Sequence, residues 1–373
     1  MRVGLDELIA SVPLVDHHVH GALRDPQDLA SFEAVITESN RPSAPGVSSF
    51  DSPVGFALLR VCAPLLDLDG EVTGAAYVER RRELGPEEVN RRLLRASGIA
   101  TYLIDTGFDA DGLLGLEEMA EVGAAETREV VRLEAIAQRL LAEETASASF
   151  ADALAGEVEA ARRRGAVGTK SVLAYRAGFD IDLTRPSGPS LIAALDRQRS
   201  RGTRVDEPEV LAHLLWAGVD AGVPLQIHTG FGDTDLTLHR SNPSLLTPFL
   251  RASESSGTAI VLLHCYPYHR EAGYLAQMFP HVYFDVGEAI NYAGAQSRQV
   301  VAESFALAPF AKQLFSSDAW GPAELHLLGA VLWRRAMARV LGGWVEDGDW
   351  SEAQARRVVE MLAGENARRL YRL

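Results

Sequence analysis

Two histidines one residue apart, His18 and His20, close a short apolar run, Val12-Pro13-Leu14-Val15-Asp16, near the start of the chain. A β-strand alternates its side chains, so the pair projects to one side and offers two imidazoles to a divalent metal. Alone, the spacing carries little, because His-His-Val-His also arises by chance in solvated loops. Its weight comes from later apolar runs that end in similar residues: His228 after Leu225-Gln226-Ile227, His264 after Val261-Leu262-Leu263, and Asp318 after Leu314-Phe315-Ser316-Ser317. Lys170 sits in a further run, Gly168-Thr169-Lys170-Ser171-Val172. Ionisable groups gathered at apolar strand ends demand a compensating partner, and a bound cation supplies one. Imidazoles with a carboxylate suit Zn, Mn, Fe or Co better than Ca or Mg. Plainer roles compete: His228 as a packed histidine, and Asp318 as the cap of a helix starting near Gly321-Pro322. Asp16 reads as structural, and His17 as pointing the other way from its neighbours, supporting the ligands from behind or packing.

The elements that must position these groups read as eight strands, at 14–20, 99–105, 129–134, 167–172, 224–228, 259–264, 282–286 and 313–318. Amphipathic stretches of helical period lie between most of them, such as 115–128, 150–164 and 209–218. Alternating strand and helix predicts an α/β fold, a (β/α)8 TIM barrel with its chemistry at the C-terminal strand ends. An open doubly wound sheet lacks its Gly-x-Gly-x-x-Gly turn. The gap between the first two strands is too long for a simple βα unit. Residues 30–95 are therefore expected to form a helical insertion, with helices at 55–66 and 86–96, lying over the mouth as a lid. The whole chain, 1–373, is expected to be one domain. The stretch 185–208, rich in Arg, Ser and Pro, reads as irregular.

A net charge of -15 argues against nucleic acid or an anionic membrane as the main partner and leaves room for a small anionic substrate in a local basic pocket. Two cysteines, Cys62 and Cys265, make no disulfide framework and suit a reducing cytoplasm. The acidic N-terminal residues do not resemble a signal peptide, and no apolar run is long enough for a membrane helix. A cytoplasmic location is expected, with a homo-oligomer left open.

The order His-x-His on strand one, Lys on four, His on five, His on six and Asp on eight resembles the amidohydrolase superfamily. More narrowly, the chain resembles the amidohydrolase 2 type and the amidohydrolase-like domain that is joined to a glutamine-synthetase-like half in FluG-type proteins. The likeness runs through Val15-Asp16-His17-His18-Val19-His20, Lys170-Ser171-Val172-Leu173-Ala174-Tyr175-Arg176 and His228-Thr229-Gly230-Phe231-Gly232-Asp233. It continues in Leu263-His264-Cys265-Tyr266-Pro267-Tyr268 and Gly364-Glu365-Asn366-Ala367-Arg368-Arg369-Leu370-Tyr371. No glutamine-synthetase-like half is expected, since the chain ends at Leu373.

The resemblance implies that His18, His20, His228 and Asp318 are metal ligands, zinc being the leading ion. It makes Asp318 the group that takes a proton from water and passes it to the leaving group. His264 becomes a ligand of a second ion or, with one ion, a hydrogen-bond partner of the water or oxyanion. Lys170 has two readings: a carbamate bridging two metals, or a free cation meeting a substrate carboxylate. Tyr175 and Arg176 favour an anion pocket, since guanidinium pairs with carboxylate bidentately. Tyr266, Tyr268 and Trp320 are candidate aromatic lining, and Asp233 is a further candidate. Glu38, in the insertion, is within reach of the site if the insertion acts as a lid, though a solvated helix glutamate is the preferred reading. The implied reaction is hydrolysis of a C–N bond in a small carboxylate-bearing substrate. Non-oxidative decarboxylation and sugar-acid isomerisation are the enzymatic alternatives. A non-catalytic binding module is disfavoured, because no ligand position is missing.

Overall fold

The computed structural model describes residues 2–108 and 111–373. Seven strands form one parallel sheet in chain order: β1 (Leu14–Val19), β2 (Ile99–Asp105), β3 (Glu126–Arg132), β4 (Gly168–Ser171), β5 (Leu225–Thr229), β6 (Ile260–His264) and β7 (Val282–Phe284). Every neighbouring pair is parallel, so each connection must cross over, and helices carry the crossovers. The fold is a (β/α)8 TIM barrel.

The eighth position is not a regular strand. Residues 313–319 meet β7 through one parallel bridge, Phe284 to Gln313, and a bond from the Leu314 N–H to the Phe284 carbonyl (3.1 Å). On the other side the His17 N–H donates to Phe315 (3.2 Å), the Asp318 N–H to His18 (3.3 Å) and the His20 N–H to Ala319 (2.8 Å). These bonds close the barrel. Side chains take the remaining ladder positions: Ser316 Oγ donates to the His18 carbonyl (2.9 Å), and Asp16 Oδ1 accepts from the Ser317 N–H (3.0 Å).

The barrel interior holds a small apolar cluster of Val15, Leu103, Val130, Val261, Leu263 and Leu314, joined by Ala367 and Tyr371. Ala367 and Tyr371 belong to the last helix, Asn366–Tyr371, which thereby fills the barrel beneath the site. The larger core lies between the sheet and the surrounding helices.

Helices Leu29–Val35, Pro53–Cys62, Gly74–Leu84 and Pro86–Ala96 lie between β1 and β2. Pro53–Cys62 and Pro86–Ala96 pack against the long helix Ala323–Asp347, on the barrel's flank. A buried ion pair, Arg81 Nε to Glu324 Oε1 (2.6 Å), ties Gly74–Leu84 to the same helix, and Tyr77 Oη donates to that carboxylate oxygen (2.7 Å). The segment around residues 34–42 borders the cavity at the mouth.

Three expectations need correction. The third strand begins at Glu126, because the preceding helix stops at Gly123 and Ala124 turns the chain at φ 52°. The stretch 185–208 contains a helix, Gly188–Arg201, capped by Ser187 and burying Leu191, Ala194, Leu195 and Gln198. That is helical spacing masked by polar composition. Glu38 lies beyond the end of Leu29–Val35, in the loop that borders the mouth. Among the described residues no helix is long and apolar enough to cross a membrane.

Candidate metal centre

His18, His20, Lys170, His228, His264 and Asp318 meet at the C-terminal ends of the strands and the closing segment. Asp318 lies between three histidines, with Oδ1 3.2 Å from His18 Nε2 and 3.8 Å from His20 Nε2, and Oδ2 3.3 Å from His264 Nε2. It is not a helix cap: the following helix begins at Ala323 with Pro322 at the cap position. Three overlapping groups bring ligand atoms within 4.8 Å of one another: His18, His20 and Asp105; His18, His264 and Asp318; and His228, His264 and Glu288. His228 is thus grouped with His264 and Glu288, not with the first-strand pair.

What holds each ring decides which nitrogen faces the centre. His18 Nδ1 donates to Gln226 Oε1 (2.7 Å), His20 Nδ1 to the Asp105 carbonyl (3.3 Å), and His228 Nε2 to the Phe231 carbonyl (2.8 Å). A carbonyl oxygen can only accept, so each bond fixes the proton on that nitrogen and leaves a lone pair on the other. Gln226 is itself fixed, its Nε2 donating to the His17 carbonyl and to Tyr371 Oη (both 2.8 Å). His17 does not point away from its neighbours. A register shift between Asp16 and Val19 breaks the alternation, and His17 bonds Asp285 Oδ2 (3.0 Å) and Tyr371 Oη (3.1 Å) inside the barrel.

Burial holds the imidazolium forms of His18, His228 and His264 well below the usual histidine range and brings His20 down to about 4. The rings are neutral at pH 7, as ligation requires. Burial pushes the Asp318 carboxyl up to about 6, against the pull of His20 and Lys170. Lys170 is buried with Nζ 2.9 Å from His18 Nε2, and desolvation lowers its ammonium below the usual range. Several buried polar atoms here have no hydrogen-bond partner: both nitrogens of His264, both carboxylate oxygens of Glu288, and Asp318 Oδ1. His264, Glu288 and Asp318 also hold left-handed backbone angles, φ 67°, 42° and 48°. Such strain and unmet polarity concentrate at functional sites. The donor set, neutral imidazoles around carboxylates, fits a divalent transition ion.

A cavity of about 710 Å³ opens above this floor, lined by His20, Lys170, His228 and Asp318. Arg41, Arg132, Arg176 and Arg204 line its walls with Glu38, Asp233 and Asp235, and Phe108, Tyr175 and Trp320 add aromatic surface. Arg132 is committed to Asp105 (Nη2 to Oδ2, 2.7 Å). Arg176 makes one bond, Nη2 to Gln138 Oε1 (3.3 Å), and its buried Nε and Nη1 are unpartnered. Glu38 is held by Tyr292 Oη (3.3 Å), and burial with the charges of Asp318 and Asp233 pushes it up to about 8. Tyr266 is a correction: it is 39% exposed, stacks on His269 and does not line the cavity.

Sequence reasoning missed Gln226, Asp105, Arg132 and Glu288. Gln226 shares a face with His228 two residues on, and Asp105 ends a strand, so alternation and the strand-end rule both pointed to them. Glu288 follows a turn after β7 and carries no periodic signal.

A barrel with histidines and an aspartate converging at the C-terminal strand ends is the architecture of a metal-dependent hydrolase fold. The chain belongs to the amidohydrolase family, whose model, described as Amidohydrolase, matches residues 109–373. The first strand lies outside that match but inside two longer ones. The fluG protein of Emericella nidulans is 28% identical over 412 residues, covering 99% of this chain and 47% of fluG, so the chain spans about half the length of that curated relative. A solved protein of Lactobacillus casei ATCC 334, assigned as a metal-dependent hydrolase, is 28% identical with TM-score 0.88, covering 99% of this chain and 97% of that one. Two uronate isomerases share the fold. The one from Bacillus halodurans C-125 has TM-score 0.69 at 14% identity, covering 99% and 96% of the two chains. The one from Thermotoga maritima has TM-score 0.64 at 16% identity, covering 99% and 97%.

Proposed function

We propose that this protein is a metal-dependent enzyme that hydrolyses a C–N bond in a small carboxylate-bearing substrate. The observation that carries the reading is the convergence of anchored histidine lone pairs on the Asp318 carboxylate, at the floor of a large polar cavity. His18, His20 and Asp318 would hold a divalent transition ion, zinc by preference, with His228 or His264 completing the set. When bound, the ion acidifies water and polarises a carbonyl. Asp318 accepts the proton from water and returns it to the leaving nitrogen, a task suited to a carboxyl raised toward neutrality. Lys170, free or carbamylated, lies against His18.

Arg176 is the proposed carboxylate anchor, because its Nε and Nη1 donors are buried without partners. Tyr175 and Trp320 flank the substrate. Arg41 Nε donates to Thr234 Oγ1 (3.1 Å), so the insertion reaches over to the loop after β5. This contact supports a lid role for the mouth-side part of the insertion. A cytoplasmic enzyme with a small-molecule partner fits the composition.

One observation favours a second reading. The cavity mixes Arg41, Arg176 and Arg204 with Glu38, Asp233 and Asp235, a lining suited to a carboxylate with several hydroxyls. Sugar-acid isomerisation, the activity named for two fold neighbours, would use such a lining. The test is to measure metal content and then assay N-acyl amino acids for amine release beside uronates for aldose–ketose conversion by NMR. Amine release supports hydrolysis, and ketose formation replaces it with the isomerase. Metal-free protein with neither activity would overturn both.

A further inference from the structure

We infer that a groove on the barrel's flank, separate from the metal centre, binds a nucleotide carrying two or more phosphates. The groove, of about 530 Å³, lies where helices Pro53–Cys62, Ser297–Ser304 and Ala323–Asp347 meet. It shares no lining residue with the cavity above the metal centre. Arg60, Arg298, Arg335 and Arg339 line it, against one carboxylate, Asp51. Elsewhere on the surface Arg82, Arg91, Arg162, Arg197 and Arg201 pair with carboxylates. Among the described residues none of the four groove guanidinium groups has an ion pair or a hydrogen bond.

This arrangement is unfavourable while the groove is empty. Arg335 and Arg339 are four residues apart on one helix, so their like charges face the same side and repel. Arg298 stands in the first turn of Ser297–Ser304, where the positive end of the helix disfavours a cation. A chain of net charge -15 therefore gathers unopposed cations around one concavity. Phosphates offset that repulsion, and guanidinium forks bind them bidentately. The other lining is apolar: Leu332 and Ala336 are buried, and Phe56 is 64% exposed. A bare phosphate makes no use of that ring, whereas a nucleobase stacks on it. The volume suits a small molecule. A protein partner would have to cover about 800 Å² on this side, of which the groove is a small part.

The test is titration calorimetry of the metal-loaded protein with ADP, inorganic pyrophosphate and adenosine, each at low and high salt. ADP should bind, more weakly as salt rises. Pyrophosphate and adenosine, which each keep half of the recognition, should bind about tenfold or more weakly than ADP. R335A/R339A should weaken ADP by about tenfold or more, and F56A should bring it to the affinity of pyrophosphate. The three side chains are exposed, so these variants should melt as wild type does. Should R335A/R339A melt lower, R60A/R298A repeats the test from the facing helices. No ADP binding, or equal affinity for ADP and pyrophosphate, would overturn the inference. So would ADP binding unchanged in both double variants, because the nucleotide would then sit elsewhere. A low-salt dimer that R335A/R339A abolishes, without ADP binding, would assign the groove to a second copy and overturn it too.

Discussion

Replacing Gln226 with leucine should weaken metal binding and stability together. The side chain is fully buried and makes three bonds: it accepts from His18 Nδ1 and donates to the His17 carbonyl and Tyr371 Oη. Leucine matches its volume but leaves all three partners without it. Each orphaned buried group costs about 1–3 kcal/mol. The apolar side chain recovers about 1.5–3 kcal/mol of transfer energy. A net loss of about 2–5 kcal/mol is expected. With an unfolding entropy of about 2.1 cal/mol/K per residue, the 373-residue chain should melt about 3–6 °C lower. The functional loss follows from His18, whose ring is then free to turn and whose Nδ1 proton is unanchored. Loss of such an outer contact lowers metal affinity by about 10–100-fold. Competition against a chelator, with Q226E as the control that keeps an acceptor at His18, measures this directly. A Q226L protein with wild-type metal affinity and melting temperature would refute the reasoning.

Three further outcomes are expected. Glu324→Ala strands the buried Arg81 guanidinium and should cost about 3–5 kcal/mol in denaturant unfolding, with E324Q losing less because its amide oxygen still accepts. Arg176→Lys should raise KM for a carboxylate substrate with little change in kcat, since a point charge replaces a planar fork; unchanged kinetics would remove Arg176 from the pocket. Metal-stripped protein should lose thermal stability as pH falls. Burial depresses His20 to about 4 and His326 to about 3, so at these two rings the folded state binds fewer protons than the unfolded one, and the stability they contribute above about pH 6.5 drains away between there and about pH 3–4, offset in part by the buried carboxyls of Asp16 and Glu38, each raised to about 8. Melting curves of the apo-protein at stepped pH check this, and a flat profile over that range would contradict it.

The sequence carried the barrel and much of its floor because both are written in simple periods. His18, His20, His264 and Asp318 stand where apolar runs stop, and a parallel barrel gathers such stops at one end. The alternation rule failed where hydrogen bonding is irregular. His17 and His18 both face the interior because β1 slips register after Asp16, and 313–319 closes the barrel through serine and aspartate side chains instead of a ladder. Neither feature leaves a pattern in residue type. Tyr266 failed for a related reason: it follows His264 and Cys265, both at left-handed angles, and the chain reverses there and carries the ring outward.

What remained hidden is mainly what makes the floor work. The lone pairs that face the cavity do so because Gln226, the Asp105 carbonyl and the Phe231 carbonyl each take the opposite ring proton. Two of those three acceptors are backbone groups, which any residue supplies, so side-chain identity could not announce them. The third, Gln226, is pinned by Tyr371, from the helix that fills the barrel beneath the site. The orientation of His18 at the mouth therefore depends on Tyr371, the final residue of the chain's last helix and 353 positions away in sequence. A Tyr371→Phe substitution separates packing from orientation: it keeps the ring in the apolar cluster and removes only the hydroxyl. It should cost less stability than Q226L, about 1–3 kcal/mol, yet still weaken metal binding, because Gln226 loses its restraint while the barrel stays filled. If Y371F binds metal as tightly as wild type, the hydroxyl serves the barrel alone and the proposed link from the last helix to His18 fails.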